Sequence, residues 1–478
     1  MDWPQFRAVH SRRRFFEKFT GGIWTAALAH LLHSEGRAAE ESLLPRKPHF
    51  APKAKNVIFM FMEGGPSQLD LFDPKPQLRK YEGKPLPDSL SKAYGSKLAF
   101  AQPNSAVLPS PRVFNRWGQC GTEMSDWLPN IASRADDICL IRSMHTDAFN
   151  HHPGQLLLFS GSTQFGRPSL GAWAAYGLGS ESQNLPGFAV LVSGRGTSGG
   201  VTNWTNGFLP STYHGTVFRS SGDPILYLSN PGELSGKTQR VTLDALKELN
   251  EQHMADSGDL AIASRISSYE LAFRMQAHAP DLLDFSRESP ATLESYGLNR
   301  EVSRPYGTNC LLARRMVERG VRFVLLADAS WDDHSDLNEK LKKNCDRTDQ
   351  PIGAMIGDLK QRGLLDSTLL VWCGEFGRTS MVEHRGETVP APDKLGRDHH
   401  PYAYSLWVAG GGIQGGQVVG KTDDFCFYPT EDPVHIHDLQ ATILHCLGFD
   451  HTRLTYRHLG RDFRLTDIGG NVVKKLLA

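Results

Sequence analysis

The chain has 478 residues, with lysine plus arginine and aspartate plus glutamate both at 52, so its formal net charge at pH 7 is zero. This balance argues against a charged polymer such as nucleic acid as a partner. Hydrophobic residues make up 40% of the chain, enough for a large core. No apolar run beyond the N-terminus is long enough to cross a bilayer, so we expect no stable membrane span in the mature protein. The seven cysteines show no paired short spacing, so we expect no extensive disulfide framework.

The N-terminus has the order of an export signal. Paired arginines from Arg12 precede a mildly apolar segment, residues 19–32, which ends near the small residue Ala39. This order is similar to a twin-arginine signal, so it predicts a signal peptide over residues 1–39, the twin-arginine export machinery as a partner, and a periplasmic or secreted protein. Residues 40–53 would then be a linker. The alternative is an amphipathic helix that caps the domain.

The first core strand is predicted at residues 56–62, an apolar and β-branched run that ends in Glu63 and a Gly-Gly-Pro turn. Ser67 and Asp70 follow closely. Glycines allow the backbone to approach a ligand, so we take Glu63, Ser67 and Asp70 as candidate site residues. The alternatives are turn hydrogen bonds for Ser67 and a helix-capping role for Asp70.

A histidine-rich turn precedes the next predicted helix. His151 and His152 stand directly before the apolar run 155–159. A helix N-terminus attracts anions through free N–H groups and its positive dipole. These histidines could bind an oxyanion, act as acid–base groups, or only satisfy the turn.

Further elements alternate along the chain. Strands are predicted at 188–192 and 323–327, and helices at 243–278, 310–319 and 352–363. Residues 194–219 are predicted as a long loop that forms a binding wall. The alternation of strands and helices predicts an α/β fold whose central sheet is mainly parallel and carries helices on both faces.

Two stretches after predicted strands combine carboxylates with imidazoles. Asp332 and His334 point the same way if the chain stays extended, so both could bind one ion. Glu375 follows the predicted strand 369–373, and His399 and His400 precede the next apolar run. Carboxylate and imidazole at the carboxyl ends of strands suit a divalent metal or acid–base chemistry. A solvated turn is the alternative for each stretch.

Five groups of residues carry a family resemblance. They are Gly64-Gly65-Pro66-Ser67 with Asp70 and Asp73, Trp331-Asp332-x-His334, Gly374-Glu375-Phe376-Gly377-Arg378-Thr379, Gly396-Arg397-Asp398-His399-His400-Pro401, and His435-x-His437-Asp438. Together they resemble a large, often exported bacterial family known as domain of unknown function fifteen-oh-one, over nearly all of the chain after the signal. That family is placed in the alkaline phosphatase and sulfatase superfamily. The resemblance implies a single sulfatase-like α/β domain over residues 54–478, with loop and helical insertions.

The resemblance also implies a metal site, because superfamily members hold one or two metal ions beside a nucleophile that starts a helix. Carried over by position, it implies a set of ligands for one or two divalent ions, either Zn, Ca, Mg or Mn: Glu63, Asp332, His334, Glu375 and His400. His399 is implied as a further ligand or an acid.

The expected nucleophile is missing. A sulfatase places a Cys or Ser, the precursor of formylglycine, where this chain has His151 in the frame His151-His152-Pro153-Gly154-Gln155. No formylglycine can form there. His151 is then the nucleophile or base, or water attacks the substrate, or the protein no longer catalyses. Ser67 is a further candidate nucleophile.

The leading hypothesis from the sequence is an exported, metal-dependent hydrolase of sulfate or phosphate esters that acts on a small molecule or on polysaccharide fragments. In it His151 and Arg378 contact the oxyanion, and Ser67, Asp70 and His152 help to bind substrate. One alternative is a non-catalytic exported member of the fold that binds a glycan or a protein through residues 194–219. Another is a purely structural metal.

Overall fold

The structure is a computed structural model that describes residues 43–94, 105–194, 196–219, 225, 235–259, 261–383 and 391–478. The predicted signal peptide lies outside the described residues. The described part of the predicted linker runs along the body of the protein, where the Arg46 Nη1 donates to the Tyr176 carbonyl oxygen at 2.7 Å.

Seventeen strands are described. In chain order they are β1 (Asn56–Glu63), β2 (Phe114–Trp117), β3 (Thr122–Ser125), β4 (Ile138–His145), β5 (Phe188–Ser193), β6 (Thr216–Arg219), β7 (Phe323–Ala329), β8 (Thr368–Cys373), β9 (Gly377–Val382), β10 (Arg397–His400), β11 (Tyr404–Ala409), β12 (Gln417–Val419), β13 (Lys421–Thr422), β14 (Pro429–Glu431), β15 (Val434–His435), β16 (Tyr456–His458) and β17 (Arg461–Phe463).

Eleven α-helices are described, and several short 3₁₀ turns lie between them. In chain order the helices are α1 (Gln68–Leu71), α2 (Asp88–Tyr94), α3 (Pro129–Ala132), α4 (His151–Ser160), α5 (Leu170–Leu178), α6 (Gly236–Ser257), α7 (Ala261–Leu283), α8 (Pro290–Ser295), α9 (Arg304–Glu318), α10 (Leu337–Gln361) and α11 (Ile436–Cys446).

The central sheet has nine strands in the order β12-β4-β11-β8-β1-β7-β5-β6, with β15 paired to β4. Strand β1 runs parallel to both β7 and β8, and β5 runs parallel to β6 and β7. Strand β11 is antiparallel to β4 and β8. The prediction of a mainly parallel sheet is therefore confirmed.

The two faces of the sheet bury separate hydrophobic clusters. Alternate side chains of β1 point to opposite faces, so Phe59 and Phe61 join one cluster while Ile58 and Met60 join the other. Helices α4, α5 and α11 cover the first cluster, and α3, α9 and α10 cover the second. Helices therefore cover both faces of the sheet, as predicted. Strand β1 is buried at the centre, so a site at its end is partly shielded from solvent.

Two predicted loops contain strands. The polar segment after Glu375 includes β9, which pairs antiparallel with β10 in a two-stranded ribbon. The predicted binding loop 194–219 ends in the edge strand β6. Neither strand alternates clearly in hydrophobicity, because a short ribbon or an edge strand does not bury one regular face. Helix α10 begins fifteen residues before the predicted helix, at Leu337, and includes Pro351.

No helix among the described residues combines the length and the apolar character that crossing a bilayer requires.

Candidate metal centre

Three neighbouring strands place three carboxylates at one edge of the sheet. Glu63 is the last residue of β1, Asp332 follows β7, and Glu375 follows β8. Because β1 lies parallel between β7 and β8, their carboxyl ends meet at the same edge. Gly64 has a φ of 119°, and a Cβ there would collide with the backbone nitrogen of Asp332. Glycine at this position therefore lets the loops that carry Glu63 and Asp332 touch.

His151, the first residue of α4, joins two of these carboxylates. Its Nδ1 lies 2.7 Å from Oε1 of Glu375, and its Nε2 lies 3.3 Å from Oδ2 of Asp332. A Cβ on Gly154 would come within 3.3 Å of the Cβ of Glu375, so a glycine in the first turn allows the helix to approach. The histidine at the expected nucleophile position therefore lies inside the carboxylate cluster.

Two further imidazoles face Asp332. Nε2 of His334 lies 2.8 Å from Oδ1 of Asp332, and Nε2 of His399 lies 3.2 Å from the same oxygen. His399 comes from β10, whose pairing with β9 brings it beside Arg378. Asp332 thus contacts three imidazoles that come from separate parts of the chain.

The donor atoms form three groups, in each of which they all lie within 4.8 Å of one another. The largest contains His151, Asp332, His334 and His399. A second contains Glu63, His151 and Glu375, and a third contains His334, Glu383 and Asp398. Because His151 belongs to the first two groups, the main cluster is continuous from β1 to β10.

The rings of His334 and His399 are each held at Nδ1, the nitrogen on the side away from Asp332. Nδ1 of His334 contacts Oε2 of Glu383, and Nδ1 of His399 lies 2.8 Å from the carbonyl oxygen of Phe149. A carbonyl oxygen only accepts, so Nδ1 of His399 carries the hydrogen, and in the neutral ring Nε2 is an acceptor. That acceptor faces a second acceptor, Oδ1 of Asp332. Two facing acceptors are the arrangement of two ligands of one cation, so these residues fit a metal ion.

The buried carboxylates also fit a cation. Glu63 and Glu375 are 3% and 0% exposed, and Oε2 of Glu63 is buried without a hydrogen-bond partner. The backbone N–H of Gly64 donates to both carboxylate oxygens of Glu375 at 3.1 Å. Buried carboxylates are costly unless positive charge or hydrogen bonds compensate them, and a divalent ion supplies that charge.

Charge couples the groups of the cluster. Burial opposes ionisation of Asp332, but hydrogen bonds from His151 and His334 hold the pKa of this carboxyl well below its usual range. Burial likewise opposes protonation of His151, but its hydrogen bonds with Asp332 and Glu375 raise the pKa of the ring to about 9. Burial lowers the pKa of His399, against the effect of the neighbouring Asp332 carboxylate. The Asp332 carboxylate therefore remains charged, while the imidazoles of His151 and His399 differ in basicity.

A protein-family model described as "Protein of unknown function (DUF1501)" matches residues 54–477. This chain belongs to that family. A comparison with curated proteins finds no match.

Solved structures with a similar fold include a sulfatase and phosphatases. The PsFucS1 sulfatase from Pseudoalteromonas sp. matches with 12% identity over 89% of this chain and 71% of its own, at a TM-score of 0.36. A protein of the alkaline phosphatase superfamily from Vibrio parahaemolyticus matches with 10% identity over 91% and 73%, at a TM-score of 0.38. The alkaline phosphatase from the Antarctic bacterium TAB5 matches with 12% identity over 83% and 97%, at a TM-score of 0.32. Superpositions this loose identify neither an activity nor a substrate for the DUF1501 chain.

Arg378, a residue of the family motifs, is buried beside Asp332. Its side chain is 1% exposed; Nη2 donates to Oδ1 of Asp332 at 2.6 Å, and Nε donates to the carbonyl oxygen of Gly65 at 2.9 Å. Nη1 donates to the carbonyl oxygen of Arg397, also at 2.9 Å. The prediction that Arg378 contacts an oxyanion is corrected, because a buried guanidinium with these partners holds Asp332 in place instead.

His400 is not brought to the cluster. It follows His399 on the extended strand β10, where successive side chains point to opposite faces, and its Nε2 lies 2.8 Å from the carbonyl oxygen of Phe427. Burial lowers the pKa of His400 to about 4. The implied ligand role of His400 is therefore corrected, and the geometry offers His399 in its place.

Ser67 and Asp70 are bonded to each other rather than to the donor groups. The Ser67 hydroxyl donates to Oδ2 of Asp70 at 2.5 Å, and Nε of Arg397 donates to the same oxygen at 2.9 Å. All three side chains are buried. The predictions of a substrate-binding pair and of a Ser67 nucleophile are corrected, because a buried hydroxyl committed to an ion pair cannot reach a substrate.

His152 stands next to His151 on α4 but belongs to none of the donor groups among the described residues. Its ring packs edge-on against Phe165 at 5.1 Å between centroids, and its buried Nε2 has no hydrogen-bond partner. The substrate-binding role of His152 stays a prediction.

Sequence reasoning missed Gln155 and Glu383. The Gln155 amide nitrogen donates to Oε1 of Glu63 at 3.2 Å and to Oγ of Ser198 at 2.9 Å. Gln155 stands four residues after His151, on the same side of the helix, and this spacing was the available signal. Glu383 carried no signal, because only the folding of the β9–β10 ribbon places it behind His334.

Proposed function

We propose that this chain is a metal-dependent hydrolase of sulfate or phosphate esters. The observation that carries the proposal is the convergence of donor atoms from His151, Asp332, His334 and His399 within 4.8 Å. The family resemblance of the motifs supplies the ester class, since superfamily members with such a site act on sulfate and phosphate esters. Glu63 and Glu375 extend the same edge with two buried carboxylates.

In this proposal Asp332, His334 and His399 hold a divalent ion, which when bound supplies a Lewis acid for the oxygens of the ester. A set with two imidazole nitrogens and one carboxylate favours Zn²⁺ over Mg²⁺, Ca²⁺ and Mn²⁺, which prefer oxygen ligands. Arg378 fixes Asp332, and Glu383 fixes the ring of His334. The chain thus holds its ligands in place before an ion arrives.

His151 is the proton-exchanging group of the proposal. It starts a helix of ten residues, whose free N–H groups and positive dipole favour an oxyanion at that end. Its Nδ1 is held by Glu375, which leaves Nε2 on the side of Asp332 to exchange a proton with the leaving group. The missing formylglycine precursor is consistent with this assignment, in which water attacks the ester, the bond to the leaving alcohol oxygen breaks, and Nε2 of His151 gives that oxygen its proton.

The segment after β5 borders the site, which supports the predicted binding wall. The Ser198 N–H donates to Oε1 of Glu63 at 3.1 Å, and the Gly199 N–H donates to Oε1 of Gln155 at 2.9 Å. Val201, which follows, is exposed. We propose that this wall contacts the alcohol part of the ester, such as an oligosaccharide.

The test strips the protein with a chelator, refills it with Zn²⁺, Mn²⁺, Mg²⁺ or Ca²⁺, and measures hydrolysis of a panel of aryl and sugar sulfates and phosphates. We expect turnover of one ester class in a refilled sample and its loss in Asp332→Ala. Asp346→Ala is the control, because that aspartate makes a surface ion pair with Lys342 away from the donor groups. No turnover by any refilled parent sample would contradict the proposal and favour a non-catalytic binding role.

Action outside the cytoplasm is a separate proposal that depends on the arginines near the N-terminus. Cell fractionation tests it with the full chain and an Arg12→Lys, Arg13→Lys variant. We expect the parent in the exported fraction and the variant in the cytoplasm. Equal export of both would contradict a twin-arginine route.

A further inference from the structure

The loop that carries Asp332 and His334 begins at a strained residue. Ser330, the first residue after β7, is exposed and has a φ of 123°, which residues other than glycine rarely adopt. A residue in such a conformation persists only where the surrounding structure imposes it, and such residues cluster at functional sites. The contacts that impose it therefore bear on how the two ligands are placed.

Helix α10, which follows the loop, holds the chain on both sides of this strain. The Asn344 amide nitrogen donates to the carbonyl oxygen of Ser330 at 2.7 Å. Two residues earlier in the chain, the carboxylate of Asp328 accepts from Nε and Nη2 of Arg347 at 3.1 and 2.6 Å. Nη2 of Arg347 also donates to Oδ1 of Asn344 at 2.9 Å, so the contacts form one network.

Trp331 joins this network to the ligands. Its indole N–H donates to Oδ2 of Asp328 at 3.0 Å, and its backbone N–H donates to the carbonyl oxygen of Glu63, also at 3.0 Å. Its ring packs edge-on against Trp372, with 5.9 Å between the ring centroids. The side chain and the backbone of Trp331 are therefore both fixed directly before Asp332.

A second tryptophan separates packing from hydrogen bonding. Trp407 stacks on Trp372 with 6.4 Å between the ring centroids, yet its buried Nε1 has no hydrogen-bond partner among the described residues. Trp331 instead donates to a carboxylate that is 1% exposed and ion-paired with Arg347. The same core thus contains one tryptophan that is bonded to the network and one that is not.

We propose that Trp331, Asp328 and Arg347 are positioning residues for the metal centre. Together they hold the backbone at Ser330 in its strained conformation, which directs the two ligands of the loop towards one ion. The inference rests on the proposed function, because it takes those two side chains as metal ligands. Once the network is broken, Ser330 relaxes to a negative φ, and the ligands that follow it turn away from the ion.

Isothermal titration of the full chain with Zn²⁺ tests the proposal. Trp331→Phe keeps an aromatic ring in the core but removes the indole N–H, so the dissociation constant should rise about tenfold, as for other residues behind metal ligands. Asp328→Asn keeps the size of the side chain and weakens the same link, so it should raise the constant similarly. Trp407→Phe is the matched control, because it removes an unbonded indole N–H from the same core, and it should bind zinc like the parent.

A second substitution separates positioning from damage to the core. Glycine adopts positive φ about as readily as negative φ, so Ser330→Gly removes the strain that turns the ligands away. Added to Trp331→Phe or to Asp328→Asn, it should lower the zinc dissociation constant at least about threefold. A cavity or an unpaired group in the core would not be repaired by this change. Near-ultraviolet circular dichroism checks that each variant is folded.

Unchanged zinc affinity in folded Trp331→Phe and Asp328→Asn, or no recovery when Ser330→Gly is added, would overturn the proposal. Loss of the fold in both variants would assign the network to stability alone and overturn it too, as would a parent that binds no zinc. The expected pattern in a parent that hydrolyses no ester would support the positioning role and contradict only the proposed hydrolase.

Discussion

Asp332 and Glu375 both bind His151, yet their surroundings differ. Glu375 is 0% exposed, and its partners on the protein are a backbone N–H, the Gln155 amide and the imidazole. Asp332 is 29% exposed and contacts three imidazoles and one guanidinium. The Glu375 side of the cluster is therefore buried and fully hydrogen-bonded. The Asp332 side is partly exposed to solvent and rich in nitrogen atoms.

The difference indicates how the site divides its work. A closed, fully hydrogen-bonded carboxylate keeps its neighbours in place, because any change leaves a buried group unpaired. An open carboxylate among imidazoles can exchange its partners for an ion and a substrate. We therefore expect metal binding and catalysis on the side of Asp332, while Glu375 holds the neighbouring side chains in place. Substitutions near Asp332 should weaken metal binding more than substitutions farther from it.

The largest effect is expected from Asp332→Ala, which removes the carboxylate shared by the three imidazoles. Metal affinity should fall at least about a hundredfold, since loss of a ligand exceeds the 10–100-fold cost of losing a residue behind one. Isothermal titration with Zn²⁺ measures it, with Asp346→Ala as the control. Unchanged zinc affinity in Asp332→Ala would show that the ion does not bind at Asp332.

Arg378→Ala should be next, because it leaves Asp332 and several backbone carbonyls without their buried donor. We expect the free energy of unfolding to fall by about 3–5 kcal/mol, with weaker metal binding as a consequence. Chemical denaturation gives the stability. If stability is unchanged while only KM for the ester rises, Arg378 contacts substrate after all.

Glu383→Gln should have a smaller effect, since it keeps an acceptor for Nδ1 of His334 but removes the charge. We expect metal affinity to fall about tenfold, and further in Glu383→Ala. Equal affinities in the parent and both variants would show that the carboxylate does not act through the ring.

The smallest effect on metal binding is expected from His400→Ala. The ring bonds to Phe427 on the far face of β10, so metal content should equal that of the parent. The free energy of unfolding should still fall by about 2–4 kcal/mol, because a buried ring and its hydrogen bond are lost. Loss of metal from a well-folded His400→Ala sample would restore the ligand role that the family resemblance implies.

The sequence predicted the place of the site because parallel strands share one direction. The apolar runs that precede Glu63, Asp332 and Glu375 had to end at one edge of the sheet once the strands were parallel. The choice between His399 and His400 could not be made, since it depends on which face of β10 turns inward. That face is set by pairing with β9, in a segment that shows no clear strand pattern.

The residues that hold the ligands from behind could not be predicted from the sequence, for the same reason. Glu383 and the carbonyl oxygen of Phe149 meet their histidines across 49 and 250 residues of chain. Arg378 was predicted to contact the oxyanion, and Ser67 was predicted to bind substrate because it follows the glycine-rich turn after the first strand. Their burial is a property of packing that local sequence does not report.

One divalent ion should lie among Asp332, His334 and His399 in the loaded protein. Anomalous diffraction from crystals of the zinc-loaded protein, recorded on both sides of the zinc absorption edge, locates it. We predict a peak about 2.0–2.2 Å from Nε2 of each histidine and from an Asp332 oxygen. A zinc-saturated crystal with no peak there, or with its peak at other residues, would contradict the account.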